Sequence, residues 1–199
     1  DKTMQRYIKN NIGTKIESIC KHLQSVLERN LNMEVCKTLL FNKFEINFFN
    51  KGINTVLDEV SEEFDSVEKE KNDILNFLTK LCKDPIKVHF TDKSGMYFHT
   101  TDKRCKNLQI SIEKYKGEPP FDLSTIKFVS GGVSNNKKLM GIPLKNLYNK
   151  YIQKLDNLKE ILKNVFTEFI ISLREYNNEM YDFVKYVSNL DILITKAYV

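Results

Sequence analysis

Apolar residues recur in two long stretches at alternating four- and three-residue steps. The first reads Ile53, Leu57, Val60, Phe64, Val67, Ile74, Leu78 and Leu81, with Lys71 as its one polar interruption. The second reads Leu144, Tyr148, Tyr151, Leu155, Leu158, Leu162, Val165 and Phe169. Spacing of this kind predicts helices that pack side by side along a narrow seam. At 1.5 Å per residue, each rod is expected to reach about 45 Å. Lys71 marks a candidate bend, or a place where the partner helix changes.

Between the rods the period switches. Ile86, Val88 and Phe90 alternate with Lys87 and His89, and the turn residues Thr91–Gly95 lead to Met96-Tyr97-Phe98-His99-Thr100, a returning strand. Thr101 can cap a short helix carrying Lys103, Arg104, Leu108 and Ile112, which Gly117-Glu118-Pro119-Pro120 breaks. Ile126–Val129 and Lys138–Met140 form a second expected strand pair, and Pro143 suits the first turn of the next helix. Upstream, Thr14-Lys15-Ile16-Glu17 fits a capping box before an apolar stripe at Ile16, Ile19, Cys20, Leu23, Val26 and Leu27. The run 38–49 is apolar without a clear period, and a docking helix and short extended structure both fit it. A final helix is expected over Met180–Val199.

The chain therefore reads as mainly α with a small β-containing insert: long antiparallel helices carrying an α+β module at their tip. Its expected parts are a helical base at 1–52, an ascending helix at 53–82, the insert at 83–143, and a descending helix with a C-terminal helix at 144–199. At 199 residues, with 41% hydrophobic residues, a packed structure is attainable and wholesale disorder is excluded. No run of about 18 uncharged apolar residues occurs, which excludes a membrane-spanning helix. The start, Asp1-Lys2-Thr3-Met4, has neither an initiator Met nor a signal-peptide core, so the chain is expected to be a piece of something longer. Cys20, Cys36, Cys82 and Cys105 are scattered, as expected of reduced thiols in an intracellular compartment.

Charge sharpens the picture. Residues 83–150 carry 13 Lys/Arg against 6 Asp/Glu, a surplus of +7, while the segments on either side are each −1. A surplus confined to the insert points to a polyanionic partner. Within it, Thr100, Thr101, Lys103, Arg104 and Lys106 sit where a strand feeds a helix N-terminus, and Ser134, Asn135, Asn136, Lys137 and Lys138 sit at the tip of the second hairpin. Hydroxyl, amide and cationic groups on loops contact phosphate and sugar without reading bases. Neither loop interleaves aromatic residues as single-strand binders do, so duplex backbone is the expected target. Solvated basic turns account for the same residues.

Catalytic patterns are lacking. There is no Gly-x-x-x-x-Gly-Lys-[Ser/Thr] and no Gly-x-Ser-x-Gly, and paired acids such as Glu62 and Glu63 belong to a solvated helix face. His89 and His99 can approach each other across the first hairpin, where strand surface or a phosphate contact is the simpler role. Ser130-Gly131-Gly132 is first of all a turn. No enzyme activity, metal or cofactor is expected in this chain.

Several short motifs, in order, resemble MutS-type mismatch repair proteins. Asn54-Thr55-Val56-Leu57-Asp58-Glu59 is similar to the start of that family's ascending lever helix. Lys87-Val88-His89-Phe90 with Gly95-Met96-Tyr97-Phe98-His99-Thr100 resembles the strands entering its clamp domain. Tyr97-Phe98-His99-Thr100-Thr101-Asp102-Lys103-Arg104 is similar to a Thr-x-Lys-Arg signature of divergent homologues in large DNA viruses and octocoral mitochondria, and Leu190-Asp191 resembles the pair closing the descending helix. The resemblance covers roughly residues 14–199, and the mismatch-reading module and Walker ATPase of the family have no counterpart here.

It implies a lever-and-clamp fragment that embraces duplex DNA through backbone contacts, with the levers relaying nucleotide state and the ATPase elsewhere in a longer protein. A second copy or paralogue is then an expected partner of the full-length protein. Residues 115–123 depart from the bacterial pattern. Two other readings stay open: a helical scaffold docking proteins through its seams or acidic rod face, and a subunit recognising RNA.

Overall fold

The computed structural model describes residues 12–39, 45–91, 95–130 and 135–197. Its helices are α1 (Ile12–Asn30), α2 (Met33–Thr38), α3 (Thr55–Cys82), α4 (Asp102–Lys114), α5 (Ile142–Ser172) and α6 (Asn177–Ala197). The strands are β1 (Lys87–Thr91), β2 (Gly95–Thr101), β3 (Lys127–Ser130) and β4 (Asn136–Met140), with short 3-10 turns at Leu123–Thr125 and Leu173–Tyr176. The chain is mainly helical with one small antiparallel sheet. It divides into two compact units, Asp1–Thr55 with Leu162–Val199, and Val56–Ile161.

In the second unit, the buried face of α3 is Leu57, Val60, Phe64, Val67, Lys71, Ile74, Leu78 and Cys82. Lys71 thus occupies a buried seam position inside a continuous helix. Its aliphatic stem fills the seam, its ammonium pairs with Glu68, and it stands 4.9 Å from the centre of the Tyr151 ring. Leu81 is only half-buried, and Cys82 takes the last seam position. The α3 segment runs antiparallel to α5: Glu70 meets Lys150 at 2.7 Å and Glu63 meets Lys154 at 2.6 Å, so one number falls as the other rises. Phe64 and Tyr151 touch between these pairs, their ring centres 5.3 Å apart.

Helix α3 ends as Lys83 turns into the left-handed region (φ 57°), ahead of Asp84-Pro85. The strands then pair in the order β1-β2-β4-β3. Both expected hairpins form, and β2 with β4 joins them into one sheet through His99–Lys138, Thr100–Lys137 and Thr101–Asn136. Alternation turns Met96, Phe98 and Thr100 of β2 inward. Phe98 and Leu139 are fully buried beside Leu108 of α4, Leu78 of α3 and Leu144 of α5.

Where β2 and β4 part, the Tyr148 hydroxyl enters between them. It accepts the Phe98 N–H at 3.1 Å and donates to the Leu139 carbonyl at 2.9 Å. Gly141 precedes α5 at a crowded point, since a Cβ there would lie 2.7 Å from the Thr125 carbonyl oxygen.

The first unit is held by aromatic contacts and caps. Lys15 meets Asp182 at 2.8 Å and His22 packs edge-on to Tyr176, setting α1 antiparallel to the C-terminal helical segment. Phe48 and Phe49 are buried, meeting Phe166 and Phe169 edge to face. Of the run 38–49, residues 45–49 are non-helical, and Phe49 bridges to Leu31. Asn50 donates its side-chain N–H to the carbonyls of Glu28 and Arg29, closing the end of α1. Helix α1 begins at Ile12, so Thr14 lies within its first turn, and Glu17 pairs with Lys21 at 2.7 Å. The final helix begins at Asn177, three residues before its expected start.

Among the described residues, no helix is long and apolar enough to cross a membrane. The four cysteines are free. Cys82 and Cys105 are buried, and burial, with Asp102 and Cys82 nearby, pushes the Cys105 thiol up to about 11.

Candidate nucleic-acid interface

The two basic segments singled out by sequence meet at one end of the sheet. Thr101 pairs with Asn136, and the Asp102 N–H donates to the Asn135 carbonyl at 2.9 Å, so the end of β2, the start of α4 and the start of β4 form one corner. Lys103 and Lys106 project from the first turns of α4 and are exposed, as is Asn135; Arg104, Asn136, Lys137 and Lys138 are half-buried. Ser134 and the Ser130-Gly131-Gly132 turn beyond Ser130 lie outside the described residues.

Two of the expected contacts differ from their sequence reading. Thr100 is 3% exposed and its hydroxyl donates to the Pro85 carbonyl, because it continues the inward phase of Met96 and Phe98. It belongs to the core rather than the surface. Thr101 occupies the N-cap position of α4 in extended conformation, but its side chain makes no capping hydrogen bond. Asp102 stands there instead, in the first turn, where a negative side chain complements the helix dipole. Its carboxylate faces Lys106 and Lys137, each at 3.5 Å, while Arg104 Nε reaches Asp84 at 3.2 Å. Four cations, Lys103, Arg104, Lys106 and Lys137, therefore share the corner with two internal anions.

Lys138 leaves this group. It shares a row with His99, on the face opposite Phe98 and Leu139, and its Nζ stands 3.9 Å from the centre of the Tyr97 ring. Lys87, His89, Tyr97, His99 and Lys127 share that outer face by register. Sequence reasoning searched the loops for aromatic residues and passed over this face, although the phase of Lys87 and His89 in β1 contained the signal. His89 and His99 do approach each other, with ring centres 5.9 Å apart. Burial, then His89, then Lys87 hold the His99 imidazole below the ordinary histidine value. No group of three metal-ligating side chains occurs among the described residues.

The surface between α3 and α5 has the opposite character, with Glu59, Glu62 and Glu63 lining a groove beside Lys150 and Lys154. Cations gathered at the sheet corner and acids along the helices would orient a polyanion toward the sheet. No protein-family model matches the sequence, and a search of curated proteins finds no match.

Proposed function

We propose that this chain is the lever and clamp portion of a MutS-type mismatch repair protein and grips duplex DNA through its phosphates, weakly and without reading bases. The observation that carries the reading is the convergence of two basic segments, more than thirty residues apart in sequence, at one corner of the sheet. Lys103, Arg104, Lys106 and Lys137 supply the cations there, and Asn135 and Asn136 supply neutral donors. In this reading the chain is not itself catalytic, and ATP turnover belongs to another part of a longer protein.

With four or five phosphate contacts, log affinity for a random-sequence duplex falls against log salt with a slope of about −4. Lys103→Glu with Lys106→Glu lowers affinity and reduces the slope by about 2. Binding that ignored salt between about 50 and 200 mM, where a phosphate-led complex loses orders of magnitude, would refute the reading.

A second reading, a helical scaffold for protein partners, rests on α6. Tyr181, Val184, Val187 and Ile192 are exposed there, whereas the seams of α3 and α5 are closed. Sedimentation showing concentration-dependent association, abolished by Val184→Glu, would favour it.

A further inference from the structure

The outer face of the sheet is chemically distinct from the corner. Antiparallel pairing sets Lys87, His99, Lys138 and Val129 in one row across all four strands and His89 opposite Tyr97 in the next. The His89 and Tyr97 rings lie 4.7 Å apart at a 34° tilt, and His99 stands edge-on to Tyr97 at 6.2 Å. These rings are half-buried, and Tyr97 packs in part against the core and lines a groove with Lys138, Asn149 and Ile152. Exposed lysines stand at both margins, Lys87 on β1 and Lys127 on β3.

Aromatic rings flanked by ammonium groups on a partly exposed face offer a π surface for a base and charges for the phosphates beside it. A duplex keeps its base faces in its own stack, so only unpaired nucleotides can use such a surface. The ammonium of Lys138 over Tyr97 marks the place where a base can lie, and on binding it is free to move from the ring to a phosphate.

We propose that this face binds single-stranded nucleic acid, with a base stacked on Tyr97 and the phosphates held by Lys87, Lys127 and Lys138. The proposal does not depend on the duplex contact at Lys103 and Lys106, although Lys138 lies next to both surfaces.

The chain has no tryptophan, so Tyr97→Trp creates a single fluorescent reporter. Titration with oligo-dT and oligo-U of about a dozen nucleotides is expected to quench it, and an abasic oligomer with the same number of phosphates is expected to leave it bright. Comparing dT with U decides between DNA and RNA as the preferred source of the strand. In a separate binding assay, Tyr97→Ala weakens oligo-dT binding about tenfold, as loss of one stacked base does. Tyr97→Phe retains the affinity, and duplex binding is unchanged in both.

Equal affinity for abasic and base-bearing strands would overturn the proposal, as would wild-type oligo-dT affinity in Tyr97→Ala. Loss of binding by Tyr97→Phe as well would overturn the stacking role, since the ring is still there. Lys103→Glu with Lys106→Glu tests the duplex reading separately and leaves quenching by oligo-dT intact.

Discussion

Replacing Tyr148 with phenylalanine removes one oxygen atom and, with it, the bridge between β2 and β4. The hydroxyl serves two backbone groups, the Phe98 N–H and the Leu139 carbonyl, on residues with no solvent exposure. Burial pushes the phenol far above its ordinary range, so it remains a donor at all ordinary pH values. Phenylalanine keeps the ring, which packs edge-on against Phe98 at 5.4 Å. The variant therefore isolates the hydrogen bonds.

Each of the two buried groups left without a partner costs about 1–3 kcal/mol, so the expected loss is about 2–6 kcal/mol. Against a typical total of about 5–15 kcal/mol this is a large fraction. Urea unfolding followed by circular dichroism reads the midpoint, and amide exchange reads the Phe98 N–H directly. A loss below about 0.5 kcal/mol, less than one net hydrogen bond typically contributes, with unchanged protection of that amide, would show that the bridge does not hold the two hairpins together.

Other expectations follow from single contacts. Lys71→Met alone leaves the half-buried Glu68 carboxylate without its cation and lowers stability by about 1–3 kcal/mol, whereas Lys71→Met with Glu68→Met restores it, because a largely desolvated ion pair is replaceable by apolar packing. Thermal melts of the single and double variants separate these outcomes. Gly141→Ala forces a methyl group against the Thr125 carbonyl and costs about 1–3 kcal/mol, read as a lowered melting temperature. The folded state holds the His99 imidazole below its unfolded value of about 6.5, so below that pH the unfolded chain binds more protons. Stability is then lost as pH falls through the folded value, and His99→Gln flattens this part of a urea-midpoint profile against pH.

The seams were legible because a 4-3 repeat needs only one side of a helix to be apolar, and most seam positions are buried, although Ile53 stands exposed before the helix start and Leu81 and Tyr151 are half-buried. Lys71 interrupts the apolar pattern because a formal charge hides a long aliphatic stem, and only the fold reveals that Glu68 and Tyr151 receive its head. The hairpins were legible from alternation and turn residues. The β2–β4 pairing was not, since its partners lie more than thirty residues apart and no local pattern specifies it.

Thr100 shows the converse: it was read as a loop hydroxyl, although it stands two residues after Phe98 and shares its phase. The same alternation places Lys87, His89, Tyr97 and His99 on one face, so part of the candidate surface was encoded in strands rather than loops. Its extension to Lys127 and Lys138 depended on the sheet order.

Asp102 gives the basic corner its own resident competitor. A phosphate arriving there meets lysines already facing a carboxylate, and the field at the start of α4 is partly answered from within the chain. The net attraction is the difference between two pairings, smaller than a count of cations implies and already discounted before any ligand arrives. Dissociation is eased in the same measure, since the carboxylate stands ready to take the lysines back. Under the proposed phosphate contact, a surface built this way favours rapid exchange over long residence, and neutralising Asp102 lengthens that residence modestly.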